Sequence, residues 1–353
     1  MGNSNTILPA HPHPLSGELF SSWFVRLAFA NVSKVHSFAI EMFGQEYGYS
    51  FWNRDIDCFI DSNHISQIST RTGLSESEIF KTTIKSYEGI LFSKLNSGFN
   101  KWILPCGIYH RTRKSNWIVY CPLCLTADPE PYFRKNWRLA FFTVCPVHQI
   151  HMLDTCSKCG RPINFFRQEL GWRSKYTVNS IVFCAYCGYD LREANIKLVE
   201  IRDLSIFEDH FSLINKCDQG WWSLKQNGQI LPFSMSYYDV IHYLSSFLNS
   251  KVGIALYKEA LIQLQPAVES ISLCSPKRVF EIRSLEERNL LLSCTLWLLN
   301  NWPRRIIGLC KKYGITASRV TRSETLPYWF IHEIELNLKG VDVIARNFRG
   351  ESD

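Results

Sequence analysis

The chain has 353 residues, 46% of them hydrophobic and 20% charged, with a formal net charge of +7. That apolar fraction supports buried cores and excludes a mainly disordered chain, and the length suggests two or three domains. No apolar run approaches the roughly 18 residues of a membrane-spanning helix, and no basic residue precedes Arg26, so neither a membrane protein nor a secreted one is expected.

Residues 1–14 are polar and carry Pro9, Pro12 and Pro14, which predicts an extended arm. From Ser16 the pattern becomes helical, with Leu19, Phe20, Trp23, Phe24, Leu27 and Ala28 at three- and four-residue steps. The run from His64 to Ser75 reads as helix-turn-helix. Ile65 and Ile68 share a face, Gly73 makes the turn, Leu74 plugs the angle, and Ser75 with Glu78 opens the next helix as a capping box. A DNA-reading helix presents its first turn to the groove, and this one presents Glu76 and Glu78, which phosphates repel. Protein docking through Lys81 and Lys85 is therefore the expected use.

From Gly89 to Ala127 there is no acid, against Lys94, Lys101, Arg111, Arg113 and Lys114. From Arg288 to Ser323 there is again none, against Arg288, Arg304, Arg305, Lys311, Lys312, Arg319 and Arg322. Positive charge gathered in this way suits a polyanion. Arg111, Arg113, Lys114, Arg304, Arg305, Lys311, Lys312, Arg319 and Arg322 are the nucleic-acid candidates, with a merely solvated face as the plain alternative.

Seven of the thirteen cysteines fall between Cys121 and Cys187, as Cys121-x2-Cys124, Cys145-x2-His148, Cys156-x2-Cys159 and Cys184-x2-Cys187. A Cys-x2-Cys turn sets two thiolates on one side of a knuckle, and two such half-sites complete a tetrahedral zinc site. Pairing neighbours gives Cys121, Cys124, Cys145 and His148 for one Zn2+ and Cys156, Cys159, Cys184 and Cys187 for a second. Interleaved pairing, His151 in place of His148, and redox use of the thiols remain alternatives at this stage. Four protein ligands leave no place for an activated water, so both ions would be structural. Cys58, Cys106, Cys217, Cys274, Cys294 and Cys310 are isolated and read as small buried hydrophobes.

Further helices are expected from about Ser205 onward. Ser236–Leu248 and Leu285–Leu299 are periodic, the second nearly all apolar and so buried. Pro303 starts a short helix that stops at Gly314, Arg319 and Arg322 follow in a loop, and a last helix runs from about Thr325 to Leu338. The fold class is mainly α. It comprises a helical N-terminal domain with a helix-turn-helix (1–115), a tandem zinc-ribbon or knuckle domain (116–200), and a helical C-terminal domain with a second, basic helix-turn-helix-like unit (201–353). Phosphate-loop, zinc-deaminase and H-E-x2-H signatures are missing from the sequence, and no enzymatic activity is expected.

The run Tyr120-Cys-Pro-Leu-Cys-Leu125, the segments Pro131-Tyr132-Phe133 and Trp137-Arg138-Leu139, and the pairs Cys145–His148 and Cys156–Gly160 together resemble the TniQ family. So do Pro14-Leu-Ser-Gly-Glu18, Ser22-Trp23 and Arg26-Leu27-Ala28. The similarity spans roughly residues 8–200 and, more loosely, the Trp302–Pro303 region. TniQ proteins and their longer TnsD relatives select targets for transposons that carry a separate transposase. The resemblance implies a bacterial, cytoplasmic adaptor between a target marker and the AAA+ ATPase TnsC. The marker would be a CRISPR effector complex with its guide RNA, or a target DNA site, and a homodimer is compatible. The chain is shorter than a TnsD type, which favours the RNA-guided case. The rival class is a freestanding zinc-ribbon and helix-turn-helix transcription regulator that binds DNA.

Overall fold

A computed structural model describes residues 6–167, 180–199, 204–224, 228–264, 273, 275–322 and 326–338. The chain divides into two compact units, Met1–Glu88 with Lys94–Val199, and Gly89–Ser93 with Glu200–Asp353. The fold is mainly helical with little strand, and it includes the tandem cysteine-rich region. No helix among the described residues is long and apolar enough to cross a membrane.

The first unit opens with α1 (Phe20–Ala30), α2 (Val35–Ser50), α3 (Ile56–Phe59), α4 (Ser62–Thr72) and α5 (Glu76–Lys81). The first helix begins at Phe20 rather than Ser16, because the Leu15 carbonyl accepts the Glu18 N–H in a turn that passes through Gly17 at φ +64°. Nearly every residue of α1 is buried. Its Phe24 ring lies 4.7 Å from Phe51, 5.3 Å from Phe38 and 6.2 Å from Trp52, centroid to centroid. Such aromatic contacts add to plain burial as the main apolar glue of this unit.

The α4–α5 corner follows the sequence closely. Ile65, Ile68 and Leu74 are buried, and Gly73 takes φ +74° at the end of α4, where a side chain would be strained. Both halves of the Ser75–Glu78 capping box are present.

Beyond α5 the first unit is mostly irregular and is held by backbone pairing. The Trp137–Ala140 stretch is stitched on both sides: Leu104 N–H donates to Arg138 O, Ala140 N–H to Trp102 O, and Val119 N–H to Trp137 O. The described residues there also hold a short hairpin, β1 (Ile108–Tyr109) with β2 (Thr112–Arg113), the helix α6 (Pro122–Ala127) and short 3-10 turns.

The second unit contains α7 (Leu204–Asn215), the hairpin β3 (Trp222–Ser223) and β4 (Ile230–Leu231), α8 (Met235–Phe247), α9 (Ile254–Leu264) and α10 (Leu285–Asn300). Its last elements among the described residues are α11 (Arg304–Lys312), α12 (Ala317–Val320) and α13 (Tyr328–Leu338). The apolar α10 is its core helix, opened by a Ser284–Glu287 capping box and packed against α7, α8 and α9. Two of its buried hydroxyls are matched across the core: Ser293 Oγ meets His210 Nε2 at 3.0 Å and Thr295 Oγ1 meets Ser245 Oγ at 3.1 Å, as buried polar groups require. Arg319 lies on α12 and not in a loop, because the Thr316 and Ala317 carbonyls accept a turn of helical hydrogen bonds. The last helix starts at Tyr328, and Thr325 lies outside the described residues.

Candidate metal centres and charged surfaces

Three of the four half-sites share one backbone device. In each, the first ligand's carbonyl accepts the N–H four residues on, and its own N–H donates across the loop: Cys145 to Ile150 O, Cys156 to Arg161 O, and Cys184 to Tyr189 O. The residue after the last ligand is left-handed in all three: Gln149 at φ +56°, Gly160 at +66° and Gly188 at +69°. Glycine suits that position at two of them, and Gln149 takes it against its preference. The fourth half-site is different. Cys121 caps α6, Pro122 occupies the first turn, and Cys124 N–H points at Cys121 Sγ over 3.4 Å.

These knuckles bring the ligands together in sequential pairs. Cys121, Cys124, Cys145 and His148 form one cluster, and Cys156, Cys159, Cys184 and Cys187 the other, with ligand atoms within 4.8 Å of one another. In the first, Cys124 Sγ lies 3.6 Å from Cys145 Sγ and 3.3 Å from His148 Nδ1. In the second, Cys156 and Cys187 sulfurs are 3.6 Å apart, and Cys159 and Cys184 sulfurs 3.7 Å. Two thiolates bound to one tetrahedral zinc stand about 3.8 Å apart, given a Zn–S bond of about 2.3 Å. The donor set and spacing therefore fit zinc in both clusters. Electrostatics agrees, because thiols this crowded cannot all ionise together without a cation. His151 is elsewhere, in a bridge with Val144. Among the isolated cysteines, Cys58, Cys106, Cys217, Cys294 and Cys310 are buried, and Cys274 lies outside the described residues.

The charged candidates separate on inspection. Arg113 is only 2% exposed. It donates to the Trp52 and Arg54 carbonyls and lies over the Phe166 ring at 4.8 Å. The expectation that Arg113 meets a polyanion is thus corrected: its guanidinium closes backbone carbonyls inside the unit. Arg305 is also engaged, over the Trp297 ring and bonded to its carbonyl. Lys312 pairs with Glu259 at 2.8 Å. Arg304, Lys311, Arg319 and Arg322 are exposed, as are Lys114, Lys81 and Lys85, while Arg111 is half-buried. Glu78 folds back onto Ser75, whose hydrogen bonds hold its carboxyl below the ordinary value.

The sequence reading missed a buried ionic framework. Arg26 donates to Glu18 at 2.5 Å and to both oxygens of Glu130. Burial pushes Glu18 up to about 7 in spite of Arg26. Arg138, fully buried, donates to Asp55 at 2.7 Å, Asp57 at 3.1 Å and the Leu104 carbonyl at 3.1 Å. Burial would raise Asp55, but the Arg138 guanidinium holds it well below the usual carboxylate range. Asp57 is pushed up to about 6 by burial, which outweighs Arg138. The available signal was local: Arg138 sits between Trp137 and Leu139 in a strongly apolar stretch, where an arginine needs a partner.

The TniQ family model matches residues 9–152. That span holds α1 to α6, the arginines 26 and 138 with their carboxylates, and the whole first cluster, and it ends before the second. It bears out the TniQ resemblance over those residues. No curated protein matches the chain.

Proposed function

From a TniQ segment at residues 9–152, we propose that the chain is a non-catalytic target-selection adaptor of a transposon. It links a target marker to the AAA+ regulator TnsC, in the bacterial cytoplasm. The marker is a CRISPR effector with its guide RNA, or a DNA site. The TniQ match carries this reading.

Each cysteine cluster binds one structural Zn2+ in this proposal. Four protein donors per cluster close the coordination sphere, so the ions hold the knuckles in shape and activate no water. Lys81 and Lys85, exposed beside the α4–α5 corner, face a partner protein in residues 1–115. Arg304, Lys311, Arg319 and Arg322 supply a polyanion-facing surface in residues 201–353.

The test is co-purification of the chain with the AAA+ ATPase encoded in the same element, followed by mapping of insertion sites. The adaptor reading expects a stable complex, and loss of target preference when Lys81 and Lys85 are both alanine. A chain that binds its own promoter, changes transcription and leaves insertion sites untouched would establish the regulator instead.

A further inference from the structure

On the first unit, β1 and β2 meet in a two-residue turn whose residues His110 and Arg111 are both left-handed, at φ +43° and +61°. Two-residue hairpins favour this turn, yet it is usually filled by glycine or asparagine. Side chains are kept here at a conformational cost, which is a mark of positions used for contact.

The side chains around the turn alternate cations with rings. Tyr109 is 54% exposed, the Lys114 ammonium stands 3.7 Å from its ring centre, and His110 packs edge-on against it at 4.2 Å. The Arg111 guanidinium donates to His36 Nε2 at 3.1 Å and stands 6.0 Å from the ring of Tyr49, itself 49% exposed. His36 is held below its ordinary value by burial and by Arg111, so it orients the arginine as a neutral acceptor. Of the nearby acids, Asp61 at the start of α4 pairs with His64 and Glu41 of α2 with Arg71, while Glu46 of α2 is exposed.

Cations alone would suit any polyanion. Exposed rings set among them narrow the choice, because duplex bases hide their faces in the stack while a single strand offers both phosphates and base faces. We propose that this hairpin and the adjoining face of α2 bind single-stranded nucleic acid, with Arg111 and Lys114 on phosphates and Tyr109 and Tyr49 stacking on bases. The site does not depend on the adaptor reading, since bare oligonucleotides suffice to test it.

The test is fluorescence anisotropy of the full zinc-loaded chain with labelled single-stranded RNA, single-stranded DNA and duplex of mixed sequence, across a salt series. Tyr109→Leu is expected to weaken single-strand binding about tenfold with little change in salt slope, while Tyr109→Phe keeps it, because stacking needs a ring. Arg111→Ala with Lys114→Ala is expected to lower the slope of log K against log salt by about 1.4, two single-strand phosphate contacts' worth. The RNA-to-DNA affinity ratio identifies which strand is the natural ligand. Three results would each overturn the proposal: no single-strand binding by the wild type, Tyr109→Leu binding like wild type, or equal losses on duplex and single strand. Thermal melting of each variant separates a lost contact from a lost fold.

Discussion

Replacing Arg138 with methionine removes the cation that two carboxylates share inside the first unit. Asp55 and Asp57 both bond to its guanidinium, at 2.7 and 3.1 Å, and Asp57 is further fixed by the Ser21 N–H and hydroxyl. The arginine therefore ties α1, α3 and the Trp137–Ala140 stretch together. Removing one member of a buried ion pair costs about 3–5 kcal/mol, since the remaining charge is left unpaired. That is a large share of the roughly 5–15 kcal/mol that holds a typical domain. For a unit of this size it corresponds to a melting point lower by roughly 10 °C. The penalty should also depend on pH. Asp55 is held low against its burial chiefly by Arg138, with smaller help from Arg113 and the Cys106 thiol, so in the variant its carboxyl is pushed up and folding favours its protonated form. The loss is then smallest in acid and grows as pH rises. Adding Asp55→Asn and Asp57→Asn should recover part of the stability by leaving no buried charge. Urea and thermal unfolding across pH measure all of this. A methionine variant that melts within about 2 °C of wild type, or a loss that is flat with pH, would refute the reasoning.

The remaining expectations concern the clusters and one carboxylate. Metal analysis should return two zinc ions per chain, with Cys124→Ser costing more than Cys187→Ser because Cys124 is buried and Cys187 half-exposed; one equivalent or none contradicts the assignment. A chelator should empty the second cluster first, as Cys159 and Cys187 are both partly exposed, and metal release followed with either serine variant shows the order. Gly160→Ala should cost about 1 kcal/mol from the left-handed backbone alone, because nothing lies within 4 Å of the added carbon; an unchanged midpoint in urea would count against the knuckle geometry. Glu18 is raised from 4.5 to about 7, so the folded state binds its proton more tightly than the unfolded chain. Its contribution is full below its unfolded value and is lost as pH rises through about 7, by about 1 kcal/mol over roughly pH 6 to 8. Comparing Glu18→Gln with wild type over that window should show the loss only in wild type.

The most legible features were those governed by local chemistry. Ser75 with Glu78, Gly73 and the four cysteine half-sites all act within a few residues, where spacing alone selects a cap, a turn or a knuckle. The start of α1 was misplaced because Ser16 and Gly17 continue a helical pattern of polarity while the Leu15 carbonyl closes a turn. Among the basic residues, spacing identified a charged stretch but not its members' roles. Arg113 turns inward onto the Trp52 and Arg54 carbonyls, and Lys312 meets Glu259, partners that are 61, 59 and 53 residues distant.

Composition and spacing by themselves determined a mainly helical chain, four zinc-fitting half-sites, and the stretches where positive charge gathers. Each is a property of neighbouring residues, whose geometry follows from backbone preferences and ligand number. Only the tertiary structure decided which half-sites pair, that His148 and not His151 closes the first cluster, and which basic residues remain on the surface. It alone placed Arg138 between Asp55 and Asp57, with 83 and 81 residues of chain between partners. Burial makes these long-range choices: an ionic group shut away from water must find its counter-charge wherever the fold brings one.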